Sequence, residues 1–200
     1  MQLNAPAILV ASRIHGETAT IARFMTREHG LIAGFVAGGR GRQLRPVMIP
    51  GNRVALDLRA RSASQLPFAR VELEESCGPW LSEPLPAAAI TWACAITASA
   101  LPEREPFPAL YETLDALLTA ICHAPSARGW LAAMVAYETM LLLDMGYGGE
   151  RPDMEGDLEA QFEAFRQLHK PIGHYLLAGN ARDVMAARTA LGERLRRMVT

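Results

Sequence analysis

The sequence predicts an α+β fold in which a small five-stranded barrel is followed by an all-α helical domain. Five short runs of β-type residues, separated by turn signals, lie within roughly the first 75 residues and favour a closed barrel. From Pro79 the chain becomes rich in alanine and leucine at helical spacing. We therefore expect a barrel domain at residues 1–78 and a helical domain at residues 79–200.

The charge distribution follows nearly the same division. Residues 1–70 carry ten arginines and three acidic residues, a formal charge of +7, whereas residues 71–200 carry −8. The whole chain is therefore almost neutral, at −1. A basic first part joined to an acidic second part indicates a polyanionic partner for the barrel.

Alternating polarity predicts the five strands in order. They are expected at residues 6–15, 18–26, 31–37, 53–61 and 68–75. In the first strand, Ile8 and Ile14 share one face, and Arg13 lies on the other. The fourth strand should turn its aliphatic residues inward and Arg53, Asp57, Arg59 and Arg61 outward. In the fifth, we expect Val71 and Leu73 to point inward.

Between the third and fourth strands lies the sequence GGRGRQLRP, residues 38–46. Its three glycines let the backbone come close to a ligand, and its three arginines make it strongly cationic. We expect a flexible loop that contributes little to the core.

Five helices are predicted in the second half of the chain. The third should begin at Ser126 as an N-cap candidate and end at Gly146, a residue suited to a helix C-terminus. The fourth is amphipathic and acidic at its start, which suits the helix dipole. The expected ranges are residues 87–101, 110–121, 126–145, 154–170 and from 181 to the last turn with its arginines at 194, 196 and 197.

No catalytic or metal-binding pattern stands out. The sequence contains no GxSxG, P-loop, HExxH or GxGxxG motif, so we expect no enzyme and no cofactor. The five histidines lack ligand spacing, and the three cysteines are far apart, which indicates buried thiols in a reducing compartment. The start of the chain lacks a signal-peptide pattern, and the longest apolar tract, residues 130–145, is short and contains Glu138 and Asp144. We expect no membrane association and a cytoplasmic location.

Binding of a nucleic-acid backbone is the function that the arginines favour, because cations placed along a track release counterions from phosphates. Ordinary solvated arginines are the alternative interpretation. Aromatic side chains are few in this half, Phe24, Phe35 and Phe68, which favours backbone contact over base readout. The predicted DNA-binding residues are Arg13, Arg23, Arg27, Arg40, Arg42, Arg45, Arg53 and Arg59.

The helical half offers a second candidate site. Trp130, Met134 and Tyr137 are most simply interpreted as core. Alternatively, they line an apolar slot for a partner peptide. Arg128 would then pair with a carboxylate of that peptide.

Three stretches resemble the RecO recombination mediator family. They are GETATIARFMTREHGLIAGFVAGGRGR at residues 16–42, PGNRVALDL at 50–58 and YETMLLLDMGYG at 137–148. The resemblance implies an OB-fold joined to a helical domain. It also implies binding of single- and double-stranded DNA, annealing of complementary strands and help in loading a recombinase. The implied partners are RecR and the acidic C-terminal tail of the single-stranded-DNA-binding protein, in a nucleoid-associated setting.

One feature departs from that family. Many members carry a four-cysteine zinc knuckle soon after the Gly-Tyr-Gly, whereas residues 148–165 here contain no cysteine, and the chain is shorter than usual. We expect a short variant that works without zinc, with packing of Leu158, Phe162 and Phe165 as the source of local order. Two other interpretations remain open: a helical interaction scaffold with an OB docking module, and a single-strand RNA-binding module.

Overall fold

The structure is a computed structural model that describes residues 2–60, 62, 65–148, 156–178 and 181–199. The chain forms two compact units. The first comprises Met1–Ser82 and Leu101–Tyr111, and the second comprises Glu83–Ala100 and Glu112–Thr200. The segment Leu101–Tyr111, which the sequence assigns to the helical domain, thus belongs to the first unit.

The first unit is a closed five-stranded barrel with strand order β1-β2-β3-β5-β4. Neighbouring strands are antiparallel except β3 and β5, which run parallel. A five-stranded barrel of this kind is the OB-fold, so the predicted fold class is confirmed. The strands are β1 Gln2–His15, β2 Ala19–Thr26, β3 Gly30–Val36, β4 Arg53–Arg59 and β5 Phe68–Glu75.

Alternation along β4 builds the barrel core as predicted. Val54, Leu56 and Leu58 are at most 2% exposed. One predicted face assignment is wrong. A bulge in β1 between Leu9 and Ala11 reverses which residues point inward, so Ile8 and Ile14 lie on opposite faces, and Ile14 is 68% exposed. Leu73 pairs with the core residue Val54 and so lies on the inward face as predicted, yet it is 42% exposed, because β5 pairs with β3 only at its first residue and has a single neighbour further along.

Leu101–Tyr111 is attached to the start of β3. The Arg104 N–H donates to the Leu31 carbonyl at 2.9 Å. Gly30 has φ +66°, and a Cβ there would collide with the backbone of Glu105. Glycine is therefore needed at position 30 for its backbone conformation and for the close approach of this segment.

The second unit is helical. The helices of the chain are α1 Pro84–Ala100, α2 Pro108–His123, α3 Leu131–Asp144, α4 Leu158–Gln167, the single turn α5 His169–Pro171 and α6 Ala181–Val199. A π-helical turn, Ile172–Leu176, follows α5. Asp157 caps α4 by accepting from the N–H groups of Glu159 and Ala160, both at 3.1 Å.

The predicted start of the third helix at Ser126 is wrong. Residues Ala127–Gly129 form a separate 3₁₀ turn, and the Ser126 side chain makes no capping hydrogen bond. The predicted end is confirmed: Gly146 has φ +83° and its N–H donates to Leu143 O at 3.0 Å. The expected first residues of α4 lie partly among residues 149–155, outside the described part of the chain, as does Arg61.

A buried ion pair joins four helices of this unit. Glu138 on α3 is fully buried, and Arg188 on α6 is 2% exposed. Arg188 donates from Nη2 to Glu138 Oε2 at 2.7 Å and from Nε to Oε1 at 3.0 Å. Trp92 Nε1 on α1 donates to Oε1 at 2.6 Å, and Arg188 also donates to the Phe165 carbonyl of α4. Burial raises the pKa of Glu138, and the charge and hydrogen bonds of Arg188 oppose that rise.

Replacing one member of the pair should destabilise the unit more than replacing both. In Arg188→Met the Glu138 carboxylate is left buried without its counter-ion, and the free energy of unfolding should fall by about 3–5 kcal/mol. The double variant Glu138→Met with Arg188→Met buries no charge and should recover part of that loss. Urea unfolding measures both. A double variant less stable than Arg188→Met would contradict this account.

His169 should make the stability sensitive to mild acid. Its ring Nδ1 lies 3.3 Å from Arg188 Nη1. Partial desolvation, and then the charge of Arg188, lower the pKa of His169 below its ordinary 6.5. The unfolded chain therefore takes up this proton at a higher pH than the folded chain, so stability falls as the pH drops through about 6.5. His169→Gln should flatten the pH dependence of the melting temperature over this range, and an unchanged pH dependence would contradict this account.

Candidate nucleic-acid interface

The glycine–arginine segment is ordered by its own backbone hydrogen bonds. The N–H of Gly41 donates to Gly38 O at 2.8 Å, and those of Arg45 and Met48 donate to Gly41 O and Leu44 O at 2.9 and 3.0 Å. Successive bonds of this type wind residues 41–48 into helical turns. Leu44, Val47 and the buried Met48 pack against the barrel core. Leu44 therefore attaches the loop predicted at residues 38–46 to the core, and Val47 and Met48, which follow that loop, extend the contact.

Asn52 fixes the end of this segment. Its side chain is fully buried, and its Nδ2 donates to Pro46 O at 2.9 Å and to Val47 O at 3.0 Å. Its Oδ1 accepts from the Cys77 N–H at 2.9 Å. An asparagine suits this position because it supplies two donors and an acceptor within one short side chain.

Arg40 has a structural role in the barrel. Its Nη1 donates to Glu17 O at 2.7 Å and to Gly16 O at 3.4 Å, and its own N–H donates to Thr18 O at 3.1 Å. The side chain thus ties the segment to the turn between β1 and β2. One of the three guanidinium nitrogens, Nη1, is thus used within the protein.

Arg42 and Arg45 are placed differently. Both are exposed, and neither makes a side-chain ion pair or hydrogen bond with the described residues. Their positions follow from the winding of residues 41–48, which carries them outward while Leu44 and Val47 pack inward. These two guanidinium groups are available to an anion in solution.

Three predicted DNA-binding arginines face carboxylates. Arg23 pairs with Glu103 at 3.1 Å and Arg53 with Glu75 at 3.3 Å. Arg59 lies against Asp57, at 2.9–3.2 Å, yet its side chain is 60% exposed. The hydrogen bonds and charge of Asp57 raise the pKa of Arg59. Arg53 is the most enclosed of the three, with 12% exposure, and is the least accessible to a ligand.

Arg13 belongs to a row of outward side chains that crosses all five strands. Direct cross-strand partners are Arg13 and Ile21, Ile21 and Phe35, Phe35 and Phe68, and Phe68 and Arg59. Directly paired residues point to the same side of a sheet. We call these five residues the cross-strand row. Arg27, also predicted to bind DNA, is exposed in the turn between β2 and β3.

Aromatic rings occupy the middle of the cross-strand row. Phe35 and Phe68 meet edge to face with centroids 5.3 Å apart, and His15 meets Phe35 in the same way at 5.8 Å. Phe68 is 63% exposed. It lines an open cleft of about 1180 Å³ together with Leu44, Leu66 and Arg70. Of the three phenylalanines noted in the sequence of this half, Phe24 lies in the barrel core, and the contact of Phe35 and Phe68 with each other and with His15 had no signal in the sequence.

The residues proposed to hold a partner peptide lie mainly inside the helical unit. Trp130 is 2% exposed, and Met134 and Tyr137 are fully buried. Burial raises the pKa of Tyr137, whose hydroxyl is hydrogen-bonded to Thr97. Only Arg128 is exposed. This placement favours the core interpretation of the three apolar residues, which offer almost no surface to a peptide.

Within the described ranges, no group of three or more histidine, cysteine or acidic side chains is placed to hold a metal ion. Cys77, Cys94 and Cys122 are buried, and no disulfide joins any two of them. No helix among the described residues is long and apolar enough to cross a membrane.

Two family descriptions match this chain. That of the N-terminal part of recombination protein O matches residues 1–76, which contain the barrel strands and the arginine segment. That of the C-terminal part matches residues 82–150. The chain belongs to the RecO family.

Curated relatives agree with this assignment. The chain is 43% identical over 149 residues to a protein of Rhodospirillum centenum and 40% identical over 149 residues to one of Phenylobacterium zucineum, both named DNA repair protein RecO. The alignments cover 74% of this chain and 58% and 60% of the two RecO relatives. The chain therefore spans well under two thirds of the length of these relatives.

Replacing Arg40 should lower the stability of the protein, whereas replacing Arg42 and Arg45 should not. Arg40→Ala removes hydrogen bonds between the arginine segment and the β1–β2 turn, and the free energy of unfolding should fall by about 1 kcal/mol. The double variant Arg42→Ala with Arg45→Ala removes only exposed side chains and should unfold like the parent. Chemical unfolding of the three proteins checks this difference. Equal stability of Arg40→Ala and the double variant would show that the contacts of Arg40 contribute nothing.

Proposed function

We propose that this chain is a DNA-binding, strand-annealing protein of recombinational repair. The observation that carries the proposal is the pair of exposed guanidinium groups, Arg42 and Arg45, on an ordered segment of an OB-fold barrel. Membership of the RecO family, and relatives named for DNA repair, support the same conclusion.

The first unit has a small net positive charge, but its basic and acidic residues are unevenly distributed. The first unit contains eleven basic and eight acidic residues, a net charge of +3. Acidic residues gather at the end of β5 and in Leu101–Tyr111, where Glu75 and Glu103 face Arg53 and Arg23. At the end of the barrel with Arg59 and Arg70, Asp57 and Glu72 line the same cleft, whereas Arg42 and Arg45 of the arginine segment make no ion pair with the described residues. A polyanion would therefore bind this end of the barrel.

Contacts of this kind follow phosphates and carry no sequence information. A protein that holds strands by their backbone leaves the bases free to pair, which is what annealing requires. We propose that the barrel binds single- and double-stranded DNA and that the chain acts in the cytoplasm at the nucleoid without catalysis. We also propose that it helps to load a recombinase together with RecR and the tail of the single-stranded-DNA-binding protein.

A salt series with labelled single-stranded DNA tests the proposal. The logarithm of the affinity should fall linearly with the logarithm of the salt concentration, with a slope of about −0.7 per phosphate contacted. Arg42→Ala with Arg45→Ala should weaken binding and make the slope shallower by roughly 1–2 units. Fluorescence anisotropy measures both quantities.

The matched control is Arg128→Ala with Arg166→Ala, which removes two exposed arginines from the helical unit and should leave the slope unchanged. Absence of binding at low salt, or equal effects of the two double variants, would overturn the assignment of the site to the barrel.

A further inference from the structure

We infer that the cross-strand row is a stacking platform for unpaired bases and that it gives the barrel a preference for single-stranded DNA. The inference rests on the proposed function, since it concerns the same barrel. It adds base contacts to a site otherwise built from phosphate contacts.

The aromatic centre of the row has the geometry of a preformed platform. Phe35 is half-buried and meets two rings edge to face, those of His15 and Phe68. Such contacts fix the orientation of the partner ring. Phe68 is thereby held in place while 63% of it remains exposed. A large ring that is oriented by its neighbours and open to solvent is suited to stacking on a planar ligand.

The surroundings of Phe68 have room for such a ligand. The cleft of about 1180 Å³ along this side of the barrel is lined by Leu44, Leu66 and Phe68, by the basic residues Arg59 and Arg70, and by the acidic residues Asp57 and Glu72. Leu66 is 40% exposed, so an apolar surface continues beside the ring. Planar aromatic groups bury such surface favourably, and every nucleobase has a flat π-face.

Charge complementarity selects a nucleic acid over an apolar peptide as the occupant. Arg13 and Arg59 end the row, which is roughly 19 Å long across five strands at their usual spacing. Arg70 lies two residues beyond Phe68 on the same face of β5. Asp57 holds the Arg59 guanidinium through three contacts of 2.9–3.2 Å. Cations at both ends and rings between them match a strand whose phosphates flank exposed bases.

Only an unpaired strand can use both features. In a duplex the bases are stacked and paired, and the phosphates are all that a barrel surface meets. The arginines should therefore bind both forms of DNA, whereas the rings should add affinity for single strands alone.

The test compares two oligonucleotides of about 16 nucleotides, an oligothymidylate and an abasic strand with the same backbone. The wild-type chain should bind the thymidylate roughly tenfold more tightly, as expected when at least one base stacks. Phe68→Leu, which keeps an apolar side chain but removes the ring, should lose most of this preference and leave binding of the abasic strand unchanged. Phe68→Tyr keeps the ring and should retain the preference.

Two controls make the result specific. Tyr175→Leu removes an exposed ring of the helical unit, 47% exposed, and should leave the preference intact. Arg42→Ala with Arg45→Ala should weaken binding of both oligonucleotides by the same factor. Melting temperatures of all variants establish that each is folded.

The outcomes separate the inference from the proposed function. If the wild-type chain binds both oligonucleotides equally, or Phe68→Leu keeps the preference, the stacking platform is wrong while DNA binding stands. If neither oligonucleotide binds at low salt, the proposed function fails and this inference fails with it.

Discussion

The arginine segment owes its shape to one buried side chain, Asn52. Because this amide is enclosed by the barrel, each of its polar atoms must find a partner, and the partners come from different parts of the chain. Its Nδ2 bonds Pro46 O and Val47 O, its Oδ1 bonds the Cys77 N–H, and its backbone oxygen bonds the Leu9 N–H. The end of the arginine segment, the bulged part of β1 and the exit from β5 are therefore fixed together. The exposed guanidinium groups then extend from a defined surface rather than from a free loop, which reduces the entropy lost when a ligand binds.

In the helical unit, too, hydrogen bonds of buried polar side chains join several segments, but here the side chains are charged. Glu138 and Arg188 lie in a low-dielectric interior, where a carboxylate without its donors would be very costly. The Glu138 carboxylate accepts hydrogen bonds from Trp92 and Arg188. The Arg188 guanidinium also lies 3.9 Å over the Phe165 ring. A buried pair of this kind is weak evidence of high stability, because two well-packed apolar residues could serve as well. Its effect is to select one arrangement of α1, α3, α4 and α6, since any other arrangement leaves a charge buried alone.

Sequence patterning predicted the barrel but not the details that make a site of it. The period of two in β4 places Val54, Leu56 and Leu58 correctly, because alternation is a local property. The bulge in β1 depends on its neighbours, so the opposite facing of Ile8 and Ile14 had no local signal. Phe35 and Phe68 are far apart in sequence and meet only because β3 and β5 pair in parallel at that point. The two residues could be named from the sequence, but their contact could not be predicted from it.

The arginines show why residue type alone does not identify a binding site. Arg40 and Arg42 are two positions apart in one glycine-rich run, and nothing in the sequence distinguishes them. The fold separates them, because Arg40 reaches the carbonyls of the β1–β2 turn while Arg42 extends into solvent. Two arginines of β4 differ in the same way. Arg53 is enclosed beside Glu75, whereas the side chain of Arg59 is exposed beside Asp57. A guanidinium already used within the protein gains less from a phosphate than an exposed one. The exposed arginines and the aromatic row therefore define one end of the barrel, and the acidic end of β5 leaves the opposite end unsuited to a polyanion.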